Sequence, residues 1–376
     1  MQEWIKGMDL SSLLEVERCG GRFYDHGREE DALRILKRYG MNLVRLRLWN
    51  DPFDEQGSSY GGGGNDLETV LALAGRAKEQ GIGWMLDFHY SDFWADPGKQ
   101  TLPKAWRELD EAGLEKAMYD YTAKTLQSCR KAELLPGIVS VGNEVSNGLL
   151  WPYGKVPACE KLTCFLNAGI RAVRDTAPGT PVMLHLDNGG NQKLYRDWFD
   201  RYLEHGGEDF EYIGLSYYPF WHGSLEMLKQ NLQMLALRYG KELIVAEVSM
   251  GHTLNDYQQY EKLSDSDRKG MAATAKLAAQ VPFPMTPEGQ AEFMKAVMEI
   301  IRQVPEGRGR GFCYWEPAWL PVPGSGWASR TALAYMGEKG PGGNEWANQA
   351  LFDYDGNALP ALEVIRDFQG IKDTGK

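Results

Sequence analysis

Two glutamates close apolar runs of this 376-residue sequence. Glu144 ends the run in VGNEVSNGLLWP, directly after Asn143, and Glu247 ends the run in ELIVAEV. Neither is followed by a sequence that begins a helix, so helix capping does not explain them. Two carboxyl groups can divide acid–base work when one holds a proton and the other is ionised. The pair predicts acid–base or nucleophilic catalysis, provided that the fold brings the two side chains together.

Apolar runs of strand length alternate along the chain with stretches of helical periodicity. We predict strands near residues 4–9, 41–49, 82–90, 137–144, 181–187, 211–218, 242–248 and 309–316. No linker, low-complexity tract or charge block divides the chain. Eight strands that alternate with helices predict class α/β and a single (β/α)8 barrel, a TIM barrel, over residues 1–376.

An open doubly wound sheet is the structural alternative to a barrel. Such a sheet in a cofactor enzyme usually carries a phosphate-binding glycine turn early in the chain. The glycine cluster of this sequence, YGGGGN at 60–65, has neither GxGxxG spacing nor a following Lys-Ser/Thr. We interpret it as a flexible loop between a strand and a helix, and the barrel remains the preferred fold.

Catalytic groups of such barrels lie at the carboxyl ends of the strands, where eight loops meet. The predicted strands end in many polar side chains: Asp9, Arg45, Arg47, Asp87, His89, Asn143, Glu144, His185, Asp187, Tyr217, Tyr218, Glu247, Trp315 and Glu316. Seven tryptophans fall in or beside the same loops: Trp94, Trp106, Trp151, Trp221, Trp315, Trp319 and Trp327. Two carboxylates across a barrel mouth lined by aromatic rings are what the cleavage of a glycosidic bond requires.

Charge and hydropathy narrow the class of partner. With 41 Lys+Arg against 52 Asp+Glu, the net charge is -11, which opposes nucleic-acid backbones and acidic membrane faces. The sequence has no uninterrupted apolar stretch of about 18 residues, and its first residues do not resemble a signal peptide. We therefore expect a neutral or cationic ligand, no nucleic acid and no membrane association.

Five cysteines occur without a CxxC pair. This odd number predicts reduced thiols rather than a disulfide framework or a zinc site, although a Cys159–Cys164 bridge stays open if the protein is exported. The histidines show neither HxH nor HExxH spacing, so we predict no catalytic metal and no cofactor.

Several longer segments are similar to a known family. They are GMNLVRLRLWNDP, LDFHYSDFWADPGKQTLPKAW, VGNEVSNGLLWP, HLDNGGN, IGLSYYPFWHG, GFCYWEPAW and NQALFDYDGNALP. Together they resemble the endo-β-1,4-galactanases of glycoside hydrolase family 53, from Lys6 to about Phe368. The resemblance implies a (β/α)8 barrel that cleaves β-1,4-linked galactan, the side chain of type I arabinogalactan in pectin, with retention of anomeric configuration.

The resemblance also implies residue roles. Glu144 falls on the general acid/base and Glu247 on the nucleophile, and Asn143 is expected to bond the sugar 2-hydroxyl. Arg47 is nearer its strand end than Arg45, so we expect Arg47 to contact the nucleophile. The residues expected to bind galactan or galacto-oligosaccharides are Arg47, Asp87, His89, Asp92, Trp94, Asn143, His185, Asn188, Tyr217, Tyr218, His222, Trp315 and Trp319.

The segment that follows the nucleophile departs from the family pattern. Val248 and Ser249 stand where the family usually has a Thr-Ala pair, a conservative change that leaves Glu247 credible. Several bacterial members carry an acidic, glycine-rich calcium loop here, whereas residues 251–282 are polar and predict a helical middle. Asp265 and Asp267 lack the rest of an oxygen cage, so we predict no bound calcium.

Three other functions stay open at this stage. A retaining barrel hydrolase of mannan or β-glucan would keep both glutamates, and a non-catalytic carbohydrate-binding barrel would keep the tryptophans. A Rossmann-type cofactor enzyme lacks its glycine fingerprint here. We expect a monomer. The location stays open, because free thiols suit a reducing compartment whereas polymer cleavage occurs outside cells.

Overall fold

The computed structural model describes residues 4–255, 257, 275–339 and 342–370, and at its centre eight parallel strands close into a barrel. The strands, labelled β1 to β8 in chain order, are Ile5–Asp9, Leu43–Leu48, Gly83–Phe88, Ile138–Val141, Val182–Leu186, Tyr212–Tyr217, Glu242–Val248 and Gly309–Tyr314. Each strand pairs with its neighbours in chain order, and β1 pairs with both β2 and β8. The prediction of a (β/α)8 barrel is confirmed, and all eight predicted strands are present.

Helices lie between the strands and cover the barrel. In the described ranges they are α1 to α11, with bounds Leu13–Arg18, Ala32–Arg38, Leu67–Glu79, Glu111–Lys131, Cys159–Thr176, Gln192–Glu204, Leu225–Tyr239, Ala275–Ala278, Pro287–Arg302, Arg330–Met336 and Ala361–Asp367. Asp66 before α3 and Asp110 before α4 accept a hydrogen bond from the third helical amide, which ends each loop at a defined residue. None of these helices combines the length and apolar character that a membrane crossing needs.

Strand alternation places an apolar cluster in the lower barrel and polar groups above it. The interior cluster consists of Leu43, Met85, Ile138, Met183, Tyr212, Ile244, Ala246 and Cys313. Further along β2 and β3, the same face carries polar side chains, at Arg45 and Arg47 of β2 and Asp87 of β3. Both arginines are buried, as expected from their shared face. The apolar layer thus supports a charged layer that the carboxyl strand ends complete.

A β-bulge sets the direction of Glu247. Leu215 of β6 pairs with Val245 of β7, but the next residue, Ser216, pairs with Glu247. Ala246 belongs to the interior cluster, and strict alternation would turn Glu247 toward the helices together with Val245. The extra residue instead lets Glu247 face the barrel mouth.

The glycine cluster follows β2 as predicted, but it is packed rather than free. Gly62 donates its amide to the Gly326 carbonyl oxygen at 2.8 Å. Gly63 has φ +101°, and a Cβ there would lie 2.3 Å from the Ser11 carbonyl oxygen. Only glycine fits this close backbone approach, which holds the loop against the β1 and β8 ends.

All five cysteines are free thiols. Cys129 and Cys313 are buried, whereas Cys164 is exposed. Cys159 and Cys164 both lie in α5, where a separation of five residues turns their side chains by about 140° around the helix axis. A bridge between them would require that turn of the helix to unwind.

Candidate active site

The carboxyl ends of the strands open into a cleft of about 480 Å³. Nine residues predicted from the sequence line it: Arg47, His89, Trp94, Asn143, Glu144, Tyr218, His222, Glu247 and Trp315. Trp94 leans over the guanidinium of Arg47, whose carbon lies 4.4 Å from the ring centroid, and its Nε1 donates to the Trp327 carbonyl oxygen at 2.8 Å. The aromatic wall therefore has fixed ring positions.

The two glutamates meet at the floor of this cleft. Carboxylate oxygens of Glu144 and Glu247 lie within 4.8 Å of each other, and the two residues are only 8% and 5% exposed. Glu144 has φ +48°, a left-handed conformation that is uncommon for a residue with a side chain. It makes no side-chain capping bond to the short 3₁₀ turn Val145–Asn147 that follows. Both carboxyl groups are thus close enough to act on one sugar unit.

Glu247 has two donors aimed at its carboxylate. The Arg45 Nη2 atom lies 2.9 Å from Oε1, and the Tyr218 hydroxyl donates to Oε2 at 2.8 Å. Burial raises the pKa of Glu247 above its usual range, and the charge of Arg45 and the Tyr218 hydrogen bond limit that rise. These two contacts favour the ionised form that a nucleophile requires.

The expectation that Arg47 contacts the nucleophile is wrong. Arg47 Nη1 instead binds Asp9 Oδ1 at 2.9 Å and Glu316 Oε1 at 2.6 Å. These carboxylates end the two strands on that side of β2, so they draw the Arg47 side chain away from Glu247. Arg45 lies deeper in the barrel and reaches across it.

Glu144 makes neither of the contacts that Glu247 has. Burial, the negative charge of Glu247 and that of Asp187 raise the pKa of Glu144 well above its usual range, and a hydrogen bond from Ser216 acts against them. The shared proton of the pair therefore resides on Glu144. One carboxylic acid and one carboxylate face the same space.

Arg45 also organises a layer beneath the cleft. It donates to Asp9 at 2.6 Å, to Asp87 at 2.8 Å and to the Asn143 Oδ1 atom at 2.7 Å. Burial acts to raise the pKa of Asp87, but Arg45 and His89 outweigh it and hold that pKa at about 2.

Asp87 and His185 were predicted to contact sugar, and they lie beneath the cleft instead. They are fully buried, because strand alternation turns them into the interior one layer below the mouth. Asp87 binds Arg45 and His89, and His185 binds Asn143 and Ser216. Their contacts position the residues above them.

Four further predicted binding residues do not line the cleft. Tyr217 faces the helices and donates its hydroxyl to the Gly223 carbonyl oxygen at 2.9 Å. Asp92 is buried and accepts from the amides of Asp51 and Lys104, and from the Tyr335 hydroxyl.

Trp319 and Asn188 complete this group. Trp319 lies behind Trp315, 5.8 Å between ring centroids, and donates Nε1 to Asn344 at 2.7 Å. Asn188 occupies a left-handed turn with φ +57° just after β5. Trp319 thus supports the cleft wall behind Trp315, and Asn188 lies outside the lining.

Ten lining residues were absent from the predicted binding set: Ala95, Asp96, Pro97, Lys99, Asp187, Trp221, Trp327, Glu338, Glu345 and Trp346. Asp187 could have been found, since it is two residues beyond His185 on the same face of β5. Trp221 and Trp327 were recognised as loop aromatics. Trp346 lies far beyond β8 in the chain and carries no local signal.

One group of side chains could hold a metal ion. Ligand atoms of Glu144, His185 and Glu247 lie within 4.8 Å of one another. Both ring nitrogens of His185 are already within 2.9 Å of Asn143 and Ser216 atoms, so the ring lacks a free lone pair. These contacts fit a metal poorly, and the expectation of no catalytic metal stays a prediction. Asp265 and Asp267 lie outside the described residues, so the expectation of no calcium also stays a prediction.

Comparisons with known proteins agree with this geometry. The family model described as Glycosyl hydrolase family 53 matches residues 5–365. An endo-beta-1,4-galactanase of Bacillus subtilis (strain 168) is 38% identical, covering 97% of this chain and 86% of its own. An arabinogalactan endo-beta-1,4-galactanase of Cellvibrio japonicus (strain Ueda107) is 35% identical, covering 96% of this chain and 91% of its own.

A solved structure gives the same assignment. The catalytic domain of a family 53 protein from Ignisphaera aggregans superposes with a TM-score of 0.87 at 38% identity, covering 97% of this chain and 96% of that chain. A family match over nearly the whole chain, close relatives and a common fold agree. This chain belongs to glycosyl hydrolase family 53.

Proposed function

We propose that this chain hydrolyses β-1,4-galactosidic bonds within galactan with retention of configuration, using Glu144 as general acid/base and Glu247 as nucleophile. The observation that carries the proposal is the unequal environment of two buried carboxyl groups within 4.8 Å of each other. Only Glu247 has Arg45 and Tyr218 as donors. Carboxylate oxygens within 4.8 Å of each other suit a retaining pair, whereas an inverting pair needs roughly 6.5–9.5 Å to admit a water molecule.

The reaction then proceeds in two half-reactions. Ionised Glu247 attacks the anomeric carbon while protonated Glu144 gives its proton to the leaving glycosidic oxygen. Glu247 becomes a neutral ester, which removes the charge that raised the pKa of Glu144. Glu144 can now take a proton from water, and the resulting hydroxide displaces Glu247. The first half-reaction therefore prepares the base for the second.

The charges around the cleft support a neutral substrate. Six carboxylic acids line it, Asp96, Glu144, Asp187, Glu247, Glu338 and Glu345, against the two permanent cations Arg47 and Lys99. Such a surplus of acids repels an anionic polymer such as polygalacturonate and tolerates neutral galactan. The aromatic faces of Trp94 and Trp315 suit the C–H faces of galactosyl rings.

Substrate class is tested by incubation with galactan, mannan, β-glucan and polygalacturonate, followed by chromatography of the products. We expect galacto-oligosaccharides from galactan and no release from the other three polymers. No release from galactan would exclude the proposed substrate. Release from mannan or β-glucan alone would assign the same pair of glutamates to another polysaccharide.

Residue roles are tested with Glu247→Ala, Glu144→Ala and the control Glu338→Ala, which removes an exposed carboxylate from the cleft rim. We expect Glu247→Ala to lose activity by more than about 1,000-fold and Glu338→Ala to lose little. An aryl β-1,4-galactobioside needs no acid for its leaving group, so azide should restore turnover of Glu144→Ala and yield a β-galactosyl azide. An α-configured azide, or rescue of the other glutamate variant instead, would reverse the assigned roles.

Oligomeric state has no bearing on these steps, because every residue assigned a role lies in one chain. The monomer expected from the sequence stays a prediction.

A further inference from the structure

The hydrogen bonds of His185 fix its tautomer. Asn143 donates Nδ2 to the Ala95 carbonyl oxygen at 2.9 Å and accepts Arg45 Nη2 at Oδ1, so its Oδ1 atom is an acceptor. His185 Nδ1 lies 2.9 Å from that same Oδ1 and must therefore carry hydrogen. Burial and the charge of Arg45 lower the pKa of His185 to about 3, which keeps the ring neutral. The Nε2 atom thus carries a lone pair.

Ser216 supplies the proton that this lone pair accepts. Its Oγ atom lies 2.9 Å from His185 Nε2, and the residue is fully buried. A Glu144 carboxylate oxygen lies within 4.8 Å of a His185 ring nitrogen, which brings it near the same hydroxyl, and Ser216 acts to lower the pKa of Glu144. A hydroxyl has one proton to donate but two lone pairs with which to accept. Ser216 consequently faces two acceptors when Glu144 is ionised and one when Glu144 is protonated.

Each protonation state of Glu144 has a complete hydrogen-bonding arrangement. When Glu144 is protonated, Ser216 donates to His185 Nε2, and the Glu144 O–H stays available for the glycosidic oxygen. When Glu144 is ionised, Ser216 can rotate its O–H toward the carboxylate. The rotation breaks no covalent bond, and the proton that leaves Glu144 goes to the glycosidic oxygen and returns from water.

We propose that Ser216 is a positioning residue for Glu144: it donates to His185 while Glu144 is protonated, and it turns its O–H toward the Glu144 carboxylate once that proton has left. The proposal rests on the function proposed above for Glu144. The bulge that turns Glu247 into the mouth also makes Ser216 of β6 the direct pairing partner of Glu247. Loss of the hydroxyl would favour the protonated form of Glu144, because a buried carboxylate without a donor is costly.

Other titratable groups face Glu144 from every side, and among them His185 is the one that has a hydrogen bond with Ser216. They are Glu247 on β7, Asp187 after β5, Asp96 in the loop after β3, Tyr218 after β6 and His185 on β5. A shift in Glu144 titration on replacing Ser216 can therefore be assigned to the lost hydroxyl.

The test compares Ser216→Ala, Ser216→Thr and the matched control Ser140→Ala. Ser140, on β4, is another fully buried serine, but its hydroxyl donates to the Gly142 carbonyl oxygen at 3.0 Å. We expect Ser216→Ala to move the basic limb of the kcat/KM profile on galactan upward by about one pH unit. Ser216→Thr retains a hydroxyl and Ser140→Ala leaves Ser216 in place, so both should keep the basic limb near that of the wild type.

A second measurement does not depend on activity. The Glu144 carboxyl carbon is titrated by 13C NMR in the wild type, Ser216→Ala and Ser216→Cys, with Glu144→Gln to assign the signal. We expect a higher pKa in both Ser216 variants, with the smaller rise for Cys, a weaker donor. Galactan cleavage with an unshifted Glu144 titration would overturn the role of Ser216. A shifted titration in a chain inert toward galactan would overturn the proposed function and leave the Ser216 contact standing.

Discussion

Replacing Tyr218 with Phe should raise the pKa of the nucleophile by a predictable amount. The Tyr218 hydroxyl donates to Glu247 Oε2 at 2.8 Å, and both residues are buried. A hydrogen bond to a buried charged group contributes about 1.5–3 kcal/mol, and one pKa unit corresponds to about 1.36 kcal/mol. Loss of the hydroxyl should therefore raise the pKa of Glu247 by about one to two units. Arg45 stays in place, so ionisation is shifted rather than abolished.

The assay is the pH dependence of kcat/KM on galactan, whose acid limb reports the free nucleophile. We expect the acid limb of Tyr218→Phe to move upward by about one to two pH units and the active range to narrow. Tyr217→Phe is a matched control, because this buried tyrosine directly precedes Tyr218 and its hydroxyl donates to the Gly223 carbonyl oxygen instead of to Glu247. An unmoved acid limb in Tyr218→Phe, or an equal shift in Tyr217→Phe, would refute the assigned contact.

Three further outcomes follow from other contacts. Burial raises the pKa of Glu316 to about 7, so the folded state loses stability as pH rises from about 4.5 to 7. Glu316→Gln should remove that loss, so that between pH 4.5 and 7 its unfolding free energy rises by about 3 kcal/mol relative to the wild type. Unfolding free energies from urea titrations that change equally with pH in both proteins would contradict this. Gly63→Ala should lower the unfolding free energy by at least about 2 kcal/mol more than Gly20→Ala, because Gly20 has a similar φ of +99° but open space around it. Trp94→Ala should raise KM for galactan about tenfold with a smaller change in kcat, and an unchanged KM would exclude Trp94 as a sugar platform.

The barrel and its polar strand ends could be predicted from the sequence because each strand is a short apolar run bounded by helical periodicity. Arg45 and Arg47 could even be assigned to the inner face, since two-residue alternation is a local property. The same rule favours Tyr218 over Tyr217, because Tyr212, Gly214, Ser216 and Tyr218 share one face. The prediction that both Tyr217 and Tyr218 bind sugar did not use this alternation.

Strand alternation cannot predict the positions at which a β-bulge interrupts it. Glu247 faces the cleft only because a bulge shifts β7 against β6, and nothing in ELIVAEV marks the extra residue. The neighbouring sequence likewise did not predict which arginine contacts Glu247. That choice depends on Asp9 and Glu316, which reach Arg47 from the first and last strands of the barrel.

Loop contacts form the second group of features that the sequence did not reveal. Asp92 was expected to bind sugar from the family resemblance, but it joins three loops by accepting from Asp51, Lys104 and Tyr335. A carboxylate in a loop can serve either purpose, and the choice depends on partners distant in sequence. Trp346 also lines the cleft, although nothing near it in the sequence predicts this.

The buried charges beneath the cleft explain how Glu247 can be ionised and still be reactive. Arg45 divides its donors among Asp9, Asp87 and Glu247, and Arg47 binds Asp9 and Glu316. Two guanidinium groups thus serve four carboxyl groups, and burial, with the charge of Asp9, raises the pKa of Glu316 to about 7 against the effect of Arg47. An arginine held by Glu247 alone would stabilise the carboxylate more strongly, lower its basicity and weaken its attack on the anomeric carbon. Sharing leaves the nucleophile charged but incompletely compensated, while Glu144, which has neither Arg45 nor Tyr218 as a donor, keeps the proton.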